Sequence, residues 1–234
     1  GIIWGNKTTA VAIDYWIKNR NEKTYLFNPS DINQKPIIMY DRNYQDTYSD
    51  PGSFITERNS FNKNVLKMDS NNLILMGDGY SEKGQFPFVD RLNLDNLTTK
   101  RIYESIYTDK LENLVDFDVS KNQLLVRIES KNDYPNYYFK DLNGKNITRI
   151  TDFNNPFEQL SKVDKQVITY KRNDGVELSG VLYLPVGYDK TSKEKMPMIM
   201  WAYPREFKDK TSAGQNTNNP NEFTYPYYGS MVYW

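Results

Sequence analysis

Tyr203, Arg205 and Glu206 follow the apolar run Met198-Ile199-Met200-Trp201-Ala202, which Pro197 and Pro204 bound. A phenol hydroxyl donates and accepts hydrogen bonds, and a guanidinium can hold a carboxylate through two parallel bonds. Arg205 and Glu206 are therefore candidate substrate-binding residues that would orient a charged group of a ligand. A surface ion pair, which usually contributes little, is the plainer alternative for such neighbours. A short, continuous apolar run suits a strand buried on both faces, as in a parallel α/β sheet. Polar groups just past its end would stand at the carboxyl edge, where open α/β sheets bind ligands.

Other catalytic chemistry is largely missing. The chain has no Cys and no His. That excludes disulfides, a thiolate nucleophile, a zinc–thiolate site and the usual general base. A Ser–His–Asp hydrolase cannot be complete within these residues. The G-x-S-x-G elbow that would expose a nucleophilic Ser is absent, and the near miss Gly79-Tyr80-Ser81-Glu82-Lys83-Gly84 is one residue too long. Ser60 with Lys63 and Ser192 with Lys195 match S-x-x-K, but neither has the partner motifs that give it meaning. Gly77-Asp78-Gly79 fails as a nucleotide loop, since position 82 is Glu. Asp41, Asp46 and Asp50 offer hard oxygen ligands, yet their spacing matches no calcium loop. The stretch Tyr40–Gly52 reads better as a connection with Asp and Pro-Gly turn chemistry. No metal and no cofactor is expected.

The bulk properties narrow the partners. There are 30 basic and 30 acidic side chains among 234 residues, so no net charge argues for nucleic acid. No apolar run approaches the roughly 20 residues of a membrane span. Gly1-Ile2-Ile3-Trp4 has neither the basic lead nor the apolar core of a targeting segment. The compartment stays open, with a periplasmic or secreted setting slightly favoured. Aromatic residues reach 15%, including 19 Tyr, which suits sheet faces.

Strand-like runs repeat along the first two thirds. Lys23–Asn28 with Pro36–Asp41, Phe88–Leu94 with Lys100–Glu104, and Asn136–Leu142 with Asn146–Thr151 each read as a hairpin, the last turning at Asn143-Gly144. Upstream of each lies another strand, at Val11–Ile17, Leu73–Met76 and Gln123–Ile128. The last two are preceded by Asn64–Met68 and Leu114–Asp118, whereas the first unit lacks an opening strand. Four strands per unit at a spacing of about 40 to 60 residues is the mark of β-propeller blades. A β-sandwich of three such units is the alternative. Propellers close with roughly four to eight blades, so this set would need a further part of the same protein or a complementing chain. Phe153–Phe157 ends the repeat. Beyond it, Gln166–Lys171 and Val176–Leu184 flank the hairpin turn Asp174-Gly175. Lys208–Thr224 reads as polar loop, and a new apolar run, Ser230–Trp234, stands at the end as a buried strand just starting.

The strings GVLYLPVGYD (Gly180–Asp189) and WAYPREFKDK (Trp201–Lys210) resemble the opening of the catalytic domain in the prolyl oligopeptidase family of serine peptidases, most closely its glutamyl endopeptidase branch. The inter-blade stretch at Tyr40–Gly52 resembles that branch too, so the likeness covers nearly the whole chain. It implies a mainly β fold: a partial β-propeller of about three four-stranded blades over 1–160, then the first strands of an α/β-hydrolase domain over 161–234. It implies a peptidase acting on oligopeptides through an acyl-enzyme, with the catalytic Ser, Asp and His outside this chain. Tyr203 would give its hydroxyl to the oxyanion hole, and the branch's preference for acidic side chains makes Arg205 a specificity candidate. The chain alone is expected to be inactive. The rival from another class is a non-catalytic propeller module that binds a partner.

Overall fold

The computed structural model describes residues 1–233. Strands β1 (Ile2–Trp4), β2 (Ala10–Trp16), β3 (Asn21–Phe27) and β4 (Ile37–Asn43) form a four-stranded antiparallel sheet in chain order. Contrary to the expectation for the first unit, an opening strand is present. Ile2, Ile3 and Trp4 pair with Ala12, Val11 and Ala10.

A second sheet follows. Its order runs β5 (Ser53–Phe54), β9 (Asn72–Gly77), β12 (Phe88–Asn93), β13 (Thr99–Glu104). The short β8 (Met68–Asp69) also pairs with β9. Here the expected opening strand Asn64–Met68 is corrected. Its first part, β7 (Asn64–Leu66), pairs instead with β6 (Thr56–Arg58) in a separate hairpin that lies against β1. A further small hairpin joins β10 (Tyr80–Ser81) to β11 (Gly84–Gln85). The third sheet, β14 (Leu111–Asp118), β15 (Gln123–Glu129), β16 (Asn136–Asp141) and β17 (Ile147–Arg149), is antiparallel in chain order, as the sequence pattern predicts.

The apolar pattern explains how the sheets stack. In β9, Leu73, Ile74 and Leu75 are all fully buried. Because successive side chains point to opposite faces, an unbroken apolar run belongs to a strand covered on both sides. Leu73 and Leu75 pack with Val11, Leu66 and Leu92 towards the first sheet. Ile74 packs with Val89, Phe117, Leu124 and Val126 towards the third. The second sheet is thus the middle layer, and burying each such side chain contributes about 1.5–3 kcal/mol.

One polar knot lies inside this stack. Tyr103 Oη donates to Glu112 at 2.6 Å, while Lys140 Nζ donates to Glu112 at 2.9 Å and to Tyr103 Oη at 2.7 Å. Glu112 is 1% exposed, so this carboxylate is tolerable only because both partners reach it. Burial first, and then the bond to Glu112, push the Tyr103 phenol up.

Past a short 3-10 turn at Glu158–Lys162, β18 (Asp164–Lys171) and β19 (Glu177–Leu184) form the expected hairpin. The apolar run 198–202 forms no strand. Met198, Met200 and Trp201 are largely exposed, because among the described residues no strand lies alongside to receive them. Met231–Tyr233 is a 3-10 turn rather than a strand, and Trp234 lies outside the described residues. One α-helical turn, α1 (Lys210–Ala213), is capped by Asp209, whose Oδ1 accepts from the Ser212 N–H at 2.7 Å. The described residues are therefore mainly β, with almost no helix and no closed barrel.

Candidate functional site

The polar stretch Lys208–Thr224, with the residues flanking it, is a strap laid across the sheets, and it is rich in the short amides that bond to neighbouring backbone. Near its start, the side-chain amide of Gln45 donates to the Glu206 carbonyl at 2.6 Å and accepts from the Lys208 N–H at 3.2 Å. Arg20 meets the Glu206 carboxylate at 3.1 Å, and Lys208 Nζ meets its other oxygen. The Lys208 hydrogen bond and charge, then Arg20, hold the Glu206 carboxyl below its usual range.

Farther along, Asn43 donates to Asp209 at 2.8 Å. Gln215 accepts from the Thr47 N–H at 2.7 Å and donates to Asp46 at 2.6 Å. Burial works against the charged form of Asp46, yet the bonds from Gln215 and Ser49 outweigh it and its carboxyl is lowered. Asn218 donates to Ser179 of β19, Asn219 to Gln85 of β11, and Asn221 to the Thr108 carbonyl before β14. Lys165 of β18, buried, donates to the Glu222 carbonyl at 2.7 Å. Phe223 and Tyr225 then stack edge-on with Tyr134 beside the third sheet.

Under this end of the strap sits Glu129, 1% exposed. Arg127 lies 3.3 Å from its carboxylate, but burial dominates and raises its carboxyl above the ordinary value. A polar cavity of about 360 Å³ opens beside it, with Lys110, Asp133, Tyr134 and Arg149 in its wall. A second, of about 120 Å³, lies among Asp50, Gly52, Asp78 and Tyr80.

The three sequence-predicted site residues differ in surroundings. Glu206 is engaged as described. Tyr203 is 75% exposed, stacks on Trp201 with ring centres 6.3 Å apart, and lines neither cavity. Arg205 is exposed and has no ion-pair partner among the described residues, so the expected surface pair with Glu206 does not form. The acidic residues of the connection are occupied separately: Asp41 by Lys23 and Asn21, Asp46 by Gln215, Asp50 by the Gly52 N–H. No group of metal-ligating side chains assembles among the described residues, and no helix there is long and apolar enough to cross a membrane. Sequence reasoning missed Arg20, Asn43, Gln45 and Gln215. The available signal was the density of Asn and Gln on both partners.

No family model matches the chain. It is 35% identical over 237 aligned positions to the probable chloroplastic glutamyl endopeptidase of Oryza sativa subsp. japonica, covering 95% of this chain and 25% of that protein. The probable chloroplastic glutamyl endopeptidase of Arabidopsis thaliana is 34% identical, with the same coverage. The chain thus spans about a quarter of the length of the curated relatives it matches. Among solved structures, oligopeptidase B from Trypanosoma brucei superposes over 81% of this chain and 25% of its own, at 14% identity and a TM-score of 0.45. That superposition adds no weight to what the sequence likeness establishes. Along nearly its whole length the chain is thus similar to glutamyl endopeptidases, the branch of the prolyl oligopeptidase family that its sequence strings resemble.

Proposed function

We propose that this chain is part of a serine peptidase of that branch, cleaving oligopeptides by an acyl-enzyme route. Residues 1–160 supply about three propeller blades, and 161–234 begin an α/β-hydrolase domain. The observation that carries this reading is the 35% identity to a glutamyl endopeptidase over 95% of the chain. The stacking of three antiparallel sheets in chain order supports the propeller part.

In this reading a Ser outside the chain adds to the scissile carbonyl while a His, also outside, takes its proton. The carbonyl oxygen becomes an oxyanion, and the Tyr203 O–H donates to it. Collapse expels the amine, which takes the proton from His, and water then hydrolyses the ester by the same steps. A donor aimed at the oxyanion is worth roughly 3–4 kcal/mol in the transition state. Arg205, free of any carboxylate among the described residues, is the residue suited to grip an acidic substrate side chain. Glu206, held by Arg20 and Lys208, serves the strap more than the substrate. No cofactor is required.

The test is covalent labelling. A fluorophosphonate probe should label the product of the full reading frame and leave the 234-residue chain unlabelled. Labelling of the short chain would overturn the assignment of the nucleophile. A reading frame without G-x-S-x-G, Asp and His would turn the reading to a non-catalytic binding module.

A further inference from the structure

Residues 196–205 are exposed, with one internal stack between Trp201 and Tyr203. The first residue after Tyr203 to be held from outside this stretch is Glu206, and what holds it is the first sheet and the loop leaving it. The Gln45 amide bonds to the main chain at both 206 and 208, as a neighbouring strand would. Its base is fixed in turn, since the Gln45 N–H donates to Asn43 Oδ1 at 2.9 Å. Arg20 is a braced arm: its guanidinium donates to the Ile17 carbonyl at 2.9 Å and to Tyr44 Oη at 3.2 Å before reaching Glu206. Between the held residue and Tyr203 stand Pro204 and Arg205. Proline fixes its own φ and restricts the residue before it, so this tether has few free torsions.

We propose that Gln45 and Arg20 are positioning residues for the Tyr203 hydroxyl, so that the first sheet sets where the oxyanion donor stands. This rests on the reading of Tyr203 given above. An oxyanion donor acts only when aimed at the developing charge, and a misplacement near 1 Å can lower a rate by about a hundredfold. Gln45 is the stronger determinant, because it grips main chain and is indifferent to the side chains at 206 and 208.

The experiment is a double-mutant cycle in the full-length peptidase, using a quenched-fluorescence peptide with Glu on the acyl side of the scissile bond. Tyr203→Phe should lower kcat by about 10²–10³ with KM little changed. Gln45→Ala should lower kcat by about tenfold to a hundredfold, again with KM little changed. In the Tyr203→Phe background, Gln45→Ala should change kcat by less than about twofold, since its route of action is gone. Arg20→Met should act in the same direction, and Arg20→Lys should restore much of the rate. If Gln45→Ala folds poorly, the isosteric Gln45→Glu reads the same effect, since it keeps the acceptor for the Lys208 N–H but sets a carboxylate oxygen against the Glu206 carbonyl. Equal losses from Gln45→Ala in both backgrounds, or full rate in Gln45→Ala beside a slow Tyr203→Phe, would overturn the clamp while leaving the phenol's role intact. Full rate in Tyr203→Phe would instead sink the reading of Tyr203 itself.

Discussion

At the scale of single residues, the polar knot of Tyr103, Glu112 and Lys140 and the buried carboxyl of Glu129 make opposite demands. Lys140→Met leaves the Glu112 charge buried with one partner fewer, and breaking such a pair costs about 3–5 kcal/mol. Urea unfolding should show it, and a loss below about 1 kcal/mol would mean that water reaches Glu112. Glu129 has its carboxyl raised by burial, so between the unfolded and folded values the folded state holds more protons. Stability from this group is therefore present below the ordinary carboxyl range and falls as pH rises through the raised value. Glu129→Gln should flatten that fall, with the melting temperature of the variant gaining on the wild type from pH 4 towards neutrality. Parallel curves would exclude it. None of this was legible in the sequence. Glu112, Glu129 and Lys140 sit at polar positions of strands, and alternation alone assigns such positions to solvent.

Among elements, the strands that carry their own signal were readable. Asn143-Gly144 and Asp174-Gly175 turn where the dipeptides require, with Gly φ of 71° and 84°. Strands β1 and β5 escaped because three and two residues are too few to show a period. They form because Ile3 and Phe54 find the core between the first and second sheets. The composition of the run 198–202 predicts burial, but burial needs neighbours that the described residues do not offer. Glycine turns allow a comparison. Gly79 and Gly175 both have positive φ, at 65° and 84°, but a Cβ on Gly79 would also collide with the Phe86 carbonyl, whereas Gly175 faces open space. Gly175→Ala should therefore destabilise by about 1–2 kcal/mol and Gly79→Ala by clearly more. Chemical denaturation that ranks them the other way would show the turn at 79 to be pliable.

At the scale of the molecule, the strap binds sheets that the chain visits far apart. Such bonds between remote polar residues leave no periodicity behind, which is why 208–224 looked like plain loop. The contrast with the preceding stretch is measurable. Residues 189–200 are exposed, whereas Lys208 and Lys210 are tied through Gln45, Glu206 and Asp174. Limited trypsin digestion should cut first after Lys193 or Lys195, since cleavage needs backbone that opens easily. A first cut after Lys208 or Lys210 would show the strap to be loose.

The way the strap is fastened also bears on how such proteins diverge. Asn43 with Asp209 and Asp46 with Gln215 meet side chain to side chain, so a change at one position should be answered at the other. The Gln45 side-chain amide bonds only to peptide groups, and nothing at 206 or 208 can compensate for losing it. In a set of relatives, position 45 should stand still while the other two pairs drift in step.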